Sequence, residues 1–133
     1  MQKSQNPNTI LIVDDNEVHR YALSRLLQSR NYGVLIAANG SQALEAVKQS
    51  PSMVLMDIHL PDTTGYKVLE ELRSRPETAS LPVILMSATE PAPQARNTAA
   101  SLGVQSFLTL PVSPDDLWIV IEATLRRQQR RTT

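Results

Sequence analysis

Residues Thr9–Arg30 read TILIVDDNEVHRYALSRLLQSR. The first five, Thr9–Val13, form an apolar run too short for a buried helix, and it reads as a strand covered on both faces. Two carboxylates, Asp14 and Asp15, follow at once. Then comes Asn16–Arg30, in which Val18, Tyr21, Ala22 and Leu26 fall on one helical face, the apolar side of an amphipathic helix.

The same strand-then-helix unit recurs along the chain. Further apolar runs stand at Val34–Ala37, Met53–Met56, Pro82–Met86 and Val104–Leu108. Between them, Ser41–Gln49 carries Ala43, Leu44 and Val47 at helical spacing, and Gly65–Ser74 carries Val68, Leu69 and Leu72. Pro93–Leu102 is Ala-rich and weakly amphipathic. Pro114–Arg127 presents Leu117, Val120, Ile121 and Leu125 on one side. Ser113 followed by Pro114 reads as an N-cap and first helical turn. Gly33, Gly40 and Gly103 mark element ends. Five alternations predict a five-stranded parallel sheet with helices on both faces, because right-handed crossovers place them there.

Length and composition narrow the classes. The chain has 133 residues, which suits one domain, and 41% of them are apolar, enough for a core. Basic and acidic residues balance at 13 each, so no nucleic-acid or anionic-membrane partner is expected. The absence of cysteine excludes disulfides and thiolate metal sites. No apolar run approaches the roughly 18 residues needed to span a bilayer. The expectation is a soluble cytoplasmic protein, with 1–8 a disordered N-terminal segment, 9–127 the domain and 128–133 an Arg-rich tail or linker.

In open parallel sheets the functional crevice lies beyond the carboxyl ends of the strands. The first strand leads into Asp14 and Asp15, the third into Asp57, the fourth into Ser87 and the fifth into Leu110–Pro111. Each has a plain structural reading: Asp14–Asn16 as a turn and helix cap, Asp57 as a turn residue, Ser87 as an ordinary strand exit, His59 as a loop residue and Phe107 as core. Three carboxylates converging on one rim repel one another and raise their pKa values unless a cation sits among them. Oxygen ligands without Cys or His suit Mg²⁺. A carboxylate beside such an ion can attack a phosphoryl group.

The segments ILIVDDNEVHRYAL (Ile10–Leu23), VLMDIHLPDTTGYKVL (Val54–Leu69), PVILMSA (Pro82–Ala88) and FLTLPV (Phe107–Val112) together resemble the response-regulator receiver domain of two-component signalling, of the chemotaxis-regulator type. The resemblance implies a flavodoxin-like, doubly wound fold with strand order 2-1-3-4-5. It implies that Asp57 accepts phosphate from a histidine kinase or phosphotransfer protein in a phosphorelay. Asp14, Asp15 (the closer ligand), Asp57 and the carbonyl of His59 would hold Mg²⁺ or Mn²⁺. Ser87 would hydrogen-bond the phosphoryl oxygen, and Phe107 would couple to it, shifting the face made by the fourth helix, fifth strand and fifth helix. Pro61 and Gly65 match the loop after the acceptor, and the bond before Pro111 is often cis in the family. The chain itself is then no enzyme. An effector domain after Thr133 and a homodimer are compatible with the family.

One position departs from the pattern. The family's lysine before that proline is here Leu110, which can neither donate a hydrogen bond nor offset charge. The chain's only lysines are Lys3, Lys48 and Lys67, none of them near this motif in sequence; Arg96 is the candidate substitute. Leu110 keeps open an alternative, an interaction module working without phosphorylation. A Mg²⁺-dependent phosphohydrolase fits less well, because the residue two after Asp57 is His59 and not a carboxylate.

Overall fold

The computed structural model describes residues 8–132, with side chains through 128. Five strands, β1 (Thr9–Val13), β2 (Gly33–Ala37), β3 (Met53–Asp57), β4 (Val83–Ser87) and β5 (Ser106–Thr109), pair in parallel in the order β2-β1-β3-β4-β5. The helices are α1 (Glu17–Gln28), α2 (Gly40–Ala46, prolonged by a 3-10 turn over Val47–Gln49), α3 (Gly65–Arg73), α4 (Pro93–Ser101) and α5 (Pro114–Thr132). The predicted fold and strand order are those observed. Of the expected segment 1–8, residues 1–7 lie outside the described residues. Asn8 is ordered against the sheet: its carbonyl accepts from Gly33 N and its side chain from Ser52 Oγ. The fifth helix runs on to Thr132, past the Arg127 at which the sequence placed its end.

The pleat sorts the core. Leu11, Val13, Val54, Met56, Val83 and Leu85 point to one face, where α2, α3 and α4 cover them. Ile10, Ile12, Met53, Leu55, Ile84 and Met86 point to the other, under α1 and α5. β1, β3 and β4 are buried on both faces, as their continuous apolar runs require. β2 lies at the edge and exposes Ile36.

Helix starts follow local capping chemistry. Asn16, Asn39 and Thr64 each accept a hydrogen bond from the amide three residues on. Ser113 does the same for Asp116 at 3.4 Å, ahead of Pro114. Gly103 ends α4 at φ +75°, the left-handed conformation that favours glycine.

The face predicted for α1 is corrected. Leu23 and Leu27 are the buried residues, with Leu26 partly buried beside them. Val18, Tyr21 and Ala22 point to solvent, Val18 at 76% exposure. Both faces satisfy helical spacing, and the sheet takes the one bearing two leucines a turn apart. Tyr21 instead accepts a hydrogen bond from Arg25 Nη1.

Candidate functional site

Strand register brings the strand-end residues together. Val13 is level with Met56, so Asp14 and Asp57 occupy matching positions at the ends of neighbouring strands. Asp57 is level with Met86, one residue short of Ser87. Ser87 is level with Thr109 on β5, and its carbonyl accepts from Leu110 N at 2.9 Å.

Asp14, Asp15 and Asp57 each place a carboxylate oxygen within 4.8 Å of the others. Asp14 is fully buried. Its Oδ1 accepts from Asn16 N at 2.9 Å, and its main chain is held by the Ala37 carbonyl and by Arg20 Nη1. Its Oδ2 is buried with no hydrogen-bond partner. His19 Nδ1 stands 3.5 Å from that oxygen, an ion pair when the imidazole is protonated. Among the described residues no lysine or arginine side chain pairs with the three carboxylates. A buried, unpartnered carboxylate oxygen is costly, and its cluster with two further carboxylates, none paired with a lysine or arginine among the described residues, fits a hard divalent ion with oxygen ligands.

Asp57 is half-buried, and its Oδ1 accepts from His59 N at 2.9 Å. Burial raises its pKa above the ordinary carboxylate value, and the charges of Asp14 and Asp15 push the same way. The His59 amide and the His59 side chain oppose them. The His59 side chain itself is at the surface, and its backbone bridges to Thr64.

The loop after Asp57 is closed tightly by main chain. Gly65 N donates to the Ile58 carbonyl at 2.7 Å. A Cβ on Gly65 would stand 2.7 Å from the Asp57 carbonyl oxygen and 3.1 Å from Ile58 Cα, so glycine is what lets α3 begin there. In the same loop Pro61 is exposed, while Asp62 accepts from the amides of Gly40 and Ser41 at 2.9 and 3.1 Å, tying the rim to the start of α2. Those bonds, Gly40's first, hold the Asp62 carboxyl below its ordinary pKa.

Ser87 is buried, and its Oγ accepts from Thr89 N at 3.2 Å. Phe107 is partly buried against the apolar cluster under α2, α3 and α4. Leu110 is partly buried and packs in the opposite cluster, with Leu23, Leu117 and Ile121 among its members. The bond from Leu110 to Pro111 is cis. Arg96 does not pair with the carboxylate cluster: its guanidinium meets Glu90 at 3.1 Å and lies 4.5 Å over the Phe107 ring. The contacts of His19 and Arg20 with Asp14 were not foreseen. They span five and six residues across a helix cap, and periodicity carries no signal for them. A cavity of about 630 Å³ opens at the opposite, amino edge of the sheet and shares no residue with the acidic cluster.

A doubly wound parallel domain carries its ligand crevice at the carboxyl edge of its sheet, and here that edge bears the carboxylate cluster. Residues 10–122 match the family model for the response regulator receiver domain, and the chain belongs to that family. It is 34% identical over 120 residues to the 3',5'-cyclic-nucleotide phosphodiesterase regA of Dictyostelium discoideum, with 88% of this chain and 15% of that protein covered. It is 35% identical over 122 residues to the probable transcriptional regulatory protein TcrX of Mycobacterium tuberculosis, with 91% and 51% covered. This chain thus spans only part of each of those two relatives. Among solved structures, a CheY-like response regulator receiver domain protein from Methanospirillum hungatei superposes with a TM-score of 0.87. The two are 25% identical, with 95% of this chain and 99% of that chain covered.

Proposed function

We propose that Asp57 is the phosphoacceptor of a two-component phosphorelay. The observation that carries this is the cluster itself: a nucleophilic carboxylate at the rim, two more within 4.8 Å, and a buried Asp14 oxygen without a hydrogen-bond partner. Asp14, Asp15, Asp57 and the carbonyl of His59 would hold Mg²⁺ or Mn²⁺, which when bound offsets charge on the transferring oxygens. The donor is a phosphohistidine of a histidine kinase or phosphotransfer protein. Its P–N bond breaks as a P–O bond forms to Asp57, and the released imidazole takes up a proton. Ser87 Oγ already accepts from Thr89 N, which leaves its own proton to donate to a phosphoryl oxygen. Phe107 then carries the change to the face of α4, β5 and α5. The domain acts as a switch for a partner, as a homodimer or through a fused effector, in the cytoplasm.

The test is incubation of the chain with Mg²⁺ and acetyl phosphate, read by intact mass, beside Asp57→Asn. One phosphoryl adduct on the wild type and none on the variant is expected. No adduct on the wild type, or the same adduct on the variant, overturns the assignment.

A second reading is favoured by Leu110, which packs in an apolar cluster where the family has a cation. On that reading the domain binds its partner irrespective of phosphorylation. Equal partner affinity for wild type and Asp57→Asn, with and without phosphodonor, would establish it.

A further inference from the structure

We propose that Arg96 is a positioning residue of this switch, a cationic latch that holds the Phe107 ring in place until the acidic site is loaded. This rests on the phosphoacceptor reading for its trigger, and on separate geometry for the latch.

The geometry begins with how poorly α4 is anchored. It buries one side chain, Ala99, and its N-cap residue Ala92 makes no side-chain capping bond. Its C-terminal end is held from α3: Arg73 Nε donates to the Leu102 carbonyl at 2.5 Å and Nη2 to the Gly103 carbonyl at 3.4 Å. Among the described residues, Arg96 alone ties the N-terminal end to its surroundings by a side-chain bond. From the first turn of α4, Arg96 reaches both Glu90 in the preceding loop, at 3.1 Å, and the face of Phe107 on β5, at 4.5 Å. A guanidinium over an aromatic face is attracted by the ring quadrupole, most strongly when water is partly excluded. Arg96 also stands close enough to Tyr66 of α3 to ease ionisation of a phenol that burial otherwise disfavours.

Beside this stack is a void of about 70 Å³, lined by Ser87, Thr89, Glu90, Arg96 and Phe107 among others. Among the described residues Arg96 is the one cation lining it, and Leu110 supplies none. The ring has room to advance toward Ser87 once the Ser87 hydroxyl turns to a phosphoryl group. Doing so takes it off the guanidinium. Arg96 therefore opposes the move, and the N-terminal end of α4 is released when the stack breaks. The C-terminal end, held by Arg73, acts as the pivot.

Phe107 is the only phenylalanine of the chain, so fluorophenylalanine labelling of the full chain gives one ¹⁹F resonance. Two readouts are taken for wild type, Arg96→Ala, Arg96→Lys and Glu90→Gln: ¹⁹F relaxation of the unloaded protein, and the midpoint of loading with beryllofluoride and Mg²⁺. Arg96→Ala is expected to raise ring mobility and to lower the loading midpoint about two- to five-fold, with Arg96→Lys between it and wild type. Glu90→Gln, which leaves the ring contact in place, should move both readouts the same way by less. Unchanged mobility in Arg96→Ala, or raised mobility with an unmoved midpoint, overturns the latch. If the wild type takes up no beryllofluoride, the phosphoacceptor reading fails, and the mobility of the unloaded variants alone decides whether Arg96 holds the ring.

Discussion

The amide of Leu110 is hydrogen-bonded at 2.9 Å to the carbonyl of Ser87, so the position where this chain departs from its family is tied by main chain to the hydroxyl residue of the site. The departure leaves no cation at a position whose backbone is fixed by that bond. A charged hydrogen bond is worth roughly 1.5–3 kcal/mol. Leu110→Lys is therefore expected to speed phosphorylation by acetyl phosphate about ten- to a hundredfold. It should also lower the melting temperature, because a partly buried apolar side chain leaves its cluster. Adduct formation followed over time measures the first effect and thermal unfolding the second. A rate equal to wild type would show that the missing lysine is not what limits this site.

Asp57 is expected to cost stability when ionised. Burial, with Asp14 and Asp15 adding to it, raises its folded pKa above the unfolded value. The penalty is thus absent below the ordinary carboxylate pKa and fully present above the folded one, so the contribution of this group falls as pH rises through that window. In chelator at neutral pH, Asp57→Asn should melt at a higher temperature than wild type. The variant keeps an oxygen to accept from His59 N. Mg²⁺ should stabilise wild type more than the variant. The advantage of the variant should vanish below about pH 4; equal melting curves in chelator at neutral pH, or an advantage that persists unchanged in acid, would contradict this.

Gly65→Ala is expected to be disproportionately damaging for one methyl group. The new Cβ meets main-chain atoms of Asp57 and Ile58, which cannot rotate away. Overpacking of this kind costs about 1–3 kcal/mol, and here relief must come from moving the nucleophile or the start of α3. Chemical denaturation should show the loss of stability. Phosphorylation per folded molecule should fall as well, and retention of full activity would show that the loop yields elsewhere.

Asp62→Ala should unfasten the rim from α2. The amides of Gly40 and Ser41 are expected to exchange faster, while the core strands β1 and β3 remain protected. The wild type should show the same loosening on acidification: a carboxyl held below its ordinary pKa contributes above the unfolded value and is lost as pH falls through the folded one. Exchange at the two amides that ignores both the substitution and the pH would refute the link.

Much of this was legible because parallel strands announce themselves. The runs at Thr9–Val13 and Met53–Met56 begin where β1 and β3 begin, and register alone then brings Asp14 level with Asp57. Ser113–Pro114 gave the start of α5 for the same reason that caps are local chemistry. What could not be read is whatever depends on the choice between two adequate faces or on contacts between distant elements. Spacing offers Val18, Tyr21, Ala22 and Leu26 as the inner face of α1, whereas Leu23 and Leu27 meet the sheet. Arg96, the candidate substitute for the missing lysine, lies on Phe107 and Glu90 instead. Periodicity ranks apolar positions along a helix and is silent about where a long cation on the next helix will reach.

The segment from Asp57 to Gly65 has a further consequence. Its shape is set by main-chain amides: His59 N donates to the Asp57 carboxylate, Leu60 N to the Thr63 carbonyl and Gly65 N to the Ile58 carbonyl, with the His59–Thr64 bridge beside them. The side chains of His59 and Pro61 meanwhile face outward. The stretch works as a template whose outer lettering is independent of its frame. Substitutions at those outward positions can therefore change the surface beside Asp57 while the loop that carries it keeps its shape.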